Sequence, residues 1–250
     1  MPAAEVNTNL AAHLDERTRM VWLETPTNPL LNIVDIRAAA EAAHAAGALV
    51  VVDNTFATPY LQQPLELGAD VVVHSTTKYL GGHSDADRRL RRRRTTRPSP
   101  SACCFLQKSL GAVPGPVRLL ARAARAEDAR GADARSTART RARSPASSTA
   151  PDGRAGALPG PARRTPGTTI AARQMRDFGG MVSFLAESEE EAVAIVARTK
   201  ILQLAESLGG VESLIEHPAR MTHASTADAP FAAPREPRAA LGRASSRPRT

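Results

Sequence analysis

Three short apolar runs in the first third of the chain constrain its fold more than any other feature. They lie at residues 20–24 (MVWLE), 49–53 (LVVVD) and 70–74 (DVVVH). The first has the length of a strand, and the second and third are rich in β-branched residues, which is typical of strands that are buried on both faces of a parallel sheet. An Ala-rich helical segment, which Asp35 can cap and Gly47 can end, separates the first two runs. A shorter helical segment near 61–67 precedes the third, so the order predicts an α/β domain.

The net charge of +8 is concentrated in one part of the chain. Residues 86–165 carry 19 basic and five acidic side chains, whereas residues 1–85 carry four basic and ten acidic ones. Only nine of the 80 residues in the basic block are Val, Ile, Leu, Met, Phe or Trp. That content is too low to offset about 1–2 kcal/mol of backbone entropy per residue. We therefore predict that residues 86–170 are disordered, and also the Pro- and Arg-rich tail at 226–250.

Order is expected to return over residues 171–225, which form a second α/β fragment. The run FGGMVSF at 178–184 is typical of a strand. Ser188 followed by Glu191 is a capping-box pattern, and it predicts a helix over 189–207.

Several classes of protein are excluded by composition. Two cysteines are too few for a disulfide-dense secreted scaffold. The apolar runs are much shorter than the ~20 residues of a membrane helix, and MPAAEVNTNL is unlike a signal peptide, so we expect a cytoplasmic protein. His83, His217 and His223 show no ligand spacing with nearby carboxylates or thiols, so no metal site is expected.

Polar side chains follow each predicted strand, where open α/β sheets bind ligands. The stiff loop ETPTNP can aim Asn28, and Asp53 ends the second strand. Ser75, Thr77 and Lys78 follow the third strand. A lysine amine can form a Schiff base, and a pyridine cofactor needs a lysine, an acid near its ring nitrogen and donors for its phosphate. These residues together supply that set.

Other interpretations of the same residues remain open at this stage. A single Asp at a strand end more often has a turn or capping role, and the lysine of an isolated STTK is more often a solvated surface lysine. Their joint occurrence with ETPTNP favours the cofactor site. The Arg-rich stretch 88–97 suggests instead a segment that binds nucleic acid weakly and without sequence preference. Its block holds one aromatic residue, Phe105, so stacking platforms are missing. A non-catalytic remnant carrying such a segment is the alternative.

The motifs ETPTNP, VVVDNTFATP and HSTTKYLGGHSD resemble, in order and spacing, the pyridoxal 5'-phosphate (PLP) enzymes of Cys/Met metabolism. This is the cystathionine γ-synthase/γ-lyase family, and FGGMVSF and ESLGGVESLIEHPARMTHAS resemble it as well. The resemblance implies that residues 1–85 are part of a fold-type I large domain, a mostly parallel sheet with flanking helices. Residues 171–225 would be part of the smaller C-terminal domain. It also implies a homo-oligomer (a tetramer in the family) that acts on small amino-acid substrates.

The resemblance also implies a role for each candidate residue. Lys78 would bind the cofactor covalently and move protons, and Asp53 would pair with the ring nitrogen. Asn28 would approach the ring hydroxyl, while Ser75 and Thr77 would bind the phosphate. The implied reaction is elimination or replacement at sulfur-containing or O-acylated amino acids.

Ser213, in GGVES, would lie near the substrate carboxylate. The choice between γ-synthase, γ-lyase and sulfhydrylase stays open. The family's glycine-rich phosphate turn and its stacking tyrosine have no counterpart here, so we expect this chain to hold the cofactor weakly and to have impaired activity. The family pattern is lost after Asp85, returns briefly at FLQKSLGAVPGP, and is lost again until about residue 171. This resembles out-of-frame translation of GC-rich coding sequence.

Overall fold

The structure is a computed structural model of the 250-residue chain. It describes residues 1–83, 89–93, 100–116, 119–120, 156–157, 167–184, 186, 188–223 and 240–243. In these ranges, no helix is both long and apolar enough to cross a membrane.

A four-stranded sheet organises the N-terminal part of the chain. Its strands, in the order in which they lie side by side, are β1 (Met20–Glu24), β2 (Leu49–Asp53), β3 (Val71–Ser75) and β4 (Arg89–Arg93). β1, β2 and β3 are parallel, and β4 is antiparallel to β3. The alternating strand and helix order predicted from the sequence is confirmed, with the third strand displaced by one residue.

Valines of β2 explain why its sequence is apolar at every position between its ends. On one face of the sheet, Val50 and Val52 pack in an apolar cluster that also contains residues of the helix over 36–45. Val51 packs with Val71 and Val73 on the other face. Since all five are buried, β2 and β3 are enclosed from both sides, as parallel strands usually are.

The helices of this part are α1 (Ala3–Asn9), α2 (Ile36–Ala45) and α3 (Thr58–Leu61). A 3₁₀ turn, Leu10–His13, follows α1. Asp35 caps α2 as expected, because its side chain accepts a hydrogen bond from the amide of Ala38 at 3.1 Å.

The helix predicted near 61–67 is wrong in its position. α3 ends at Leu61, and Gln62 is extended, with φ of −141° and ψ of 136°. Pro64 disfavours helical backbone at the residue before it, which explains why the chain turns here instead.

A second sheet contains five strands. The same part of the chain contains three helices, α4 (Pro100–Ser109), α5 (Thr168–Gln174) and α6 (Glu189–Arg198). The strands are β5 (Gly156–Ala157), β6 (Met181–Phe184), β7 (Gln203–Leu204), β8 (Leu214–Glu216) and β9 (Ala240–Arg243). Side by side in the sheet, they lie in the order β5–β6–β9–β8–β7.

The helix predicted over 189–207 begins as expected and ends early. Ser188 caps α6 by accepting a hydrogen bond from the amide of Glu191 at 3.1 Å. The helix stops at Arg198, because Thr199 is extended and its hydroxyl donates to the carbonyls of Val196 and Leu202, each at 2.9 Å. Residues 199–207 are thereby released from the helix.

The prediction of disorder for 86–170 and 226–250 falls largely outside the described residues, and there it stays a prediction. Within those segments the structure describes β4, α4, β5 and β9, and the first residues of α5. β4 has the sequence RLRRR and pairs with the edge of β3 along its whole length. Backbone pairing with an existing sheet edge needs no apolar side-chain pattern, which is why the sequence gives no sign of this strand.

Candidate active site

The loops that follow β1, β2 and β3 meet at one edge of the first sheet. The parallel register aligns Glu24 with Asp53 and Asp53 with Val73. The carboxyl ends of the three strands therefore lie side by side, which is where open α/β sheets bind ligands.

Lys78 is held in a tight turn after β3. Its amide donates to the carbonyl of Ser75 at 3.3 Å, and its carbonyl accepts from the amides of Gly81 and Gly82 at 3.1 and 2.8 Å. A Cβ atom at Gly81 would lie 2.2 Å from the carbonyl oxygen of Thr76, so the turn requires glycine there.

Ser207 is the contact of Lys78 that the sequence did not predict. The Lys78 Nζ donates to the Ser207 Oγ at 2.9 Å across a sequence separation of 129 residues. Ser207 has a φ of 90°, a left-handed conformation that is uncommon for residues other than glycine. Its place in the quoted ESLGGVES motif was the available signal, but the sequence placed it at the end of a helix.

The loop around Ser207 fits closely against the turn of Lys78. A Cβ atom at Gly209 would lie 2.1 Å from the Tyr79 amide nitrogen and 2.4 Å from the Lys78 carbonyl carbon. Only a residue without a side chain permits this approach, so the two backbones determine each other's position.

An apolar cluster connects the loops of the site to one another. Its buried members are Leu31, Phe56, Met181 and Leu208, and Tyr79 packs against them. They come from the loops after β1, β2 and β3, from β6, and from the loop beside Ser207. The cluster therefore ties all the segments that carry candidate residues to one another.

Asp53 and Ser75 are linked through Thr55. The Asp53 Oδ1 accepts hydrogen bonds from the Thr55 amide at 3.1 Å and from the Thr55 hydroxyl at 2.6 Å. The Thr55 Oγ1 in turn accepts from the Ser75 amide at 2.8 Å. The structure thus brings together two of the residues that the sequence predicted.

His74 lies directly before Ser75 and is 5% exposed. Burial lowers its pKa from the usual 6.5 to about 4, while the negative charge of Asp53 acts in the opposite direction. Burial is the larger effect, since desolvation disfavours the imidazolium, and His74 is therefore neutral at pH 7.

Asn28 lies in the loop after β1, between Thr25-Pro26 and Asn28-Pro29 peptide bonds that are both cis. Its Oδ1 is buried and has no hydrogen-bond partner among the described residues. Buried polar atoms are normally paired, so this amide is suited to a ligand that supplies a polar group.

Thr77 is half-buried between Thr76 and Lys78 in the turn after β3. Ser213 immediately precedes β8, and its carbonyl accepts a hydrogen bond from the amide of Gln203 at 2.9 Å. This hydrogen bond places the backbone of Ser213 in the second sheet, on the same chain segment as Ser207.

The assembled residues offer an amine, a carboxylate, hydroxyls and a buried amide at one sheet edge. This set fits a cofactor that carries a protonated ring nitrogen, a ring hydroxyl and a phosphate. Within the part of the chain that the structure describes, no group of three or more His, Cys, Asp or Glu residues could hold a metal ion.

Comparison with known proteins gives a family match over most of the chain. The model of the family described as "Cys/Met metabolism PLP-dependent enzyme" matches residues 3–234. A cystathionine gamma-synthase of Mycobacterium tuberculosis is 46% identical over 240 residues, which cover 90% of this chain and 58% of that protein. A cystathionine beta-lyase of Lactococcus lactis is 46% identical over 223 residues, covering 87% of this chain and 57% of that protein.

A solved structure agrees with these matches. The crystal structure of metB from Corynebacterium glutamicum has a TM-score of 0.90 and 39% sequence identity, covering 98% of this chain and 62% of that chain. The chain therefore spans roughly three fifths of the length of the proteins that it matches. The match extends across the Arg-rich block, and the frame interpretation of that block stays a prediction.

Proposed function

Because the chain belongs to the Cys/Met metabolism family of PLP-dependent enzymes, we propose that its site binds PLP through Lys78 and catalyses elimination or replacement at sulfur-containing or O-acylated amino acids. The fold-type I sheet and the PLP dependence of the family are shown by the comparisons. The observation that carries the proposal is the Lys78 amine, held at 2.9 Å by Ser207 beside the strand end that presents Asp53.

Each candidate residue has a role in holding the cofactor. Asp53 would pair with the ring nitrogen and keep it protonated. The Asn28 Oδ1, which is buried and has no hydrogen-bond partner among the described residues, would accept a hydrogen bond from the ring hydroxyl. Ser75 and Thr77 would bind the phosphate in the turn that also holds Lys78. When bound, PLP supplies an electron sink for the electron pair left at the substrate Cα.

Lys78 would move the proton in the reaction. Its Nζ would take the proton from the substrate Cα. It would then deliver the proton to another carbon of the substrate or to the leaving group. Ser207 would hold the amine between these transfers, since its Oγ accepts from the Nζ. Ser213 would lie near the substrate carboxylate, on the segment that Ser207 anchors to the site.

The relatives support an amino-acid substrate, since both are named for reactions that make or cleave cystathionine. We further propose a homo-oligomer that works in the cytoplasm, which sedimentation and fractionation would test. The enzyme interpretation is favoured over the nucleic-acid-binding segment, because the matching family model and the relatives named above are those of Cys/Met metabolism enzymes.

A PLP titration followed by visible absorbance tests the proposal. Lys78→Ala is the test variant, and Lys200→Ala is the matched control, because Lys200 is an exposed lysine outside the site. We expect a shifted absorbance band that needs excess cofactor to saturate, is kept in Lys200→Ala and is lost in Lys78→Ala. Equal bands in the wild type and Lys78→Ala would contradict the assignment.

A further inference from the structure

We propose that Thr55 is a positioning residue that joins the two ends of the cofactor site into one rigid unit. This inference rests on the proposed function, which places the ring nitrogen at Asp53 and the phosphate at Ser75. Thr55 itself touches neither the cofactor nor the substrate in this scheme. It acts through the residues on either side of it.

The direction of every hydrogen bond at the Thr55 hydroxyl is determined by its partners. The Ser75 amide is only a donor, so the Thr55 Oγ1 accepts from it at 2.8 Å. The hydroxyl proton is then directed to the Asp53 Oδ1 at 2.6 Å, and the Thr55 amide donates to the same oxygen at 3.1 Å. The Ser75 amide, the Thr55 hydroxyl and the Asp53 carboxylate thus form a chain of hydrogen bonds that all point in one direction. Hydrogen bonds in such a chain polarise and strengthen one another.

The position of Thr55 explains why such a link is needed. The β2–β3 pairing ends with Asp53 opposite Val73, and one more backbone hydrogen bond follows, from the Asn54 amide to the Val73 carbonyl at 2.9 Å. Beyond that point β2 has ended, whereas β3 continues to Ser75. The Thr55 side chain links the loop after β2 to the end of β3, so rotation of the Asp53 carboxylate would break hydrogen bonds to a residue that also holds the Ser75 backbone.

Fixing this distance matters for a ligand that must be gripped at both ends. A carboxylate that rotates freely, or a phosphate loop that shifts, loses alignment with a rigid aromatic ring. Two donors on Oδ1 also fix the plane of the carboxylate. Thr55 therefore prepares the site for the cofactor before the cofactor arrives.

The chain offers a matched control for this hydroxyl. Thr18 also donates its hydroxyl to a carboxylate, the Asp15 Oδ1 at 3.0 Å, and accepts from the Asp15 amide at 3.1 Å. It lies in a turn before β1, at the start of that strand rather than at the carboxyl edge of the sheet. Thr18→Val thus removes the same chemistry away from the site.

The experiment compares Thr55→Val, Thr55→Ser and Thr18→Val in the full chain. The first measurement, without cofactor, is the hydrogen-exchange rate of the Ser75 amide. A net hydrogen bond of about 0.5–1.5 kcal/mol corresponds to an increase of roughly 2- to 12-fold in Thr55→Val, with little change in the other two. The second measurement is the PLP dissociation constant, which we expect to rise about 10-fold in Thr55→Val and to be restored by Thr55→Ser.

The outcomes separate this inference from the proposed function. A Thr55→Val chain with unchanged PLP affinity overturns the positioning role and leaves the proposed function intact. A wild-type chain without a Lys78-dependent band overturns the proposed function and this inference with it, whatever happens at the Ser75 amide. If Thr55→Val does not fold, as judged by circular dichroism, Thr55→Ala gives the same test with a smaller side chain.

Discussion

Replacing Gln62 with leucine should destabilise the N-terminal part of the chain strongly. Gln62 is 1% exposed, and its side chain connects three segments. Its Nε2 donates to the Thr25 carbonyl at 3.0 Å and to the Asn54 Oδ1 at 2.8 Å. Its Oε1 accepts from the Gln174 Nε2 at 3.0 Å, which ties α5 to the same point.

The magnitude follows from the groups that the substitution leaves behind. Thr25 and Asn54 are both fully buried, and each loses the donor that Gln62 supplies. A buried polar group without a partner costs about 1–3 kcal/mol, so the two together cost about 2–6 kcal/mol. Gln174 keeps a hydrogen bond to the Val34 carbonyl at 3.0 Å, and the added apolar surface of leucine offsets part of the loss. We expect a net loss of about 2–4 kcal/mol.

Urea unfolding followed by circular dichroism measures this effect. With a denaturant dependence of about 1–3 kcal/mol per molar, the midpoint should fall by about 1 M or more. Gln107→Leu is the control, since Gln107 is an exposed residue of α4 whose side chain donates to the carbonyl of Ala112, also exposed, at 3.3 Å. If Gln62→Leu shifts the midpoint no more than Gln107→Leu does, the reasoning about buried partners is refuted.

Three further outcomes test other parts of the account. Ser207→Ala removes the 2.9 Å partner of the Lys78 amine, and we expect the exchange of the substrate α-proton with solvent deuterium to slow about 10-fold, by NMR, with substrate affinity nearly unchanged. Gly81→Ala would place a Cβ atom 2.2 Å from a backbone oxygen, so it should abolish the Lys78-dependent PLP band, whereas Gly115→Ala, with open space around its Cβ, should keep it. The pKa of His74 is lowered to about 4 in the folded chain, so the unfolded chain binds more protons below pH 6.5, and stability should fall as the pH drops from 6.5 towards 4. Between pH 6.5 and pH 5 we expect a loss of about 2 kcal/mol in urea unfolding, and the loss should be smaller in His74→Leu; equal losses in both chains would show that other groups cause it.

The strands of the first sheet could be predicted because each carries a local signal. LVVVD and DVVVH are apolar at consecutive positions, and both faces of β2 are covered in the structure. Asp53, Ser75 and Lys78 could be placed at the edge of that sheet for the same reason, since the end of a parallel strand fixes which edge its next residue reaches.

Ser207 and Thr55 could not be found in this way. The contact of Ser207 with Lys78 joins positions 129 residues apart, and it depends on the helix α6 stopping at Arg198. The Thr199 hydroxyl that ends this helix competes with helical hydrogen bonds, an effect that averaged helix preferences do not capture. Thr55 appears in the sequence as an ordinary loop residue, and only the distances to Asp53 and Ser75 reveal its link.

The most direct test of the central claim is to identify which lysine binds the cofactor. The chain has three lysines, Lys78, Lys108 and Lys200, so each peptide can be assigned without ambiguity. The protein is incubated with PLP, reduced with borohydride to fix the cofactor, digested, and mapped by mass spectrometry. The account predicts that the label lies mainly on Lys78, because only this amine is half-buried at the sheet edge, while Lys108 and Lys200 are exposed. A label spread evenly over the three lysines, or concentrated on Lys108 or Lys200, would contradict it.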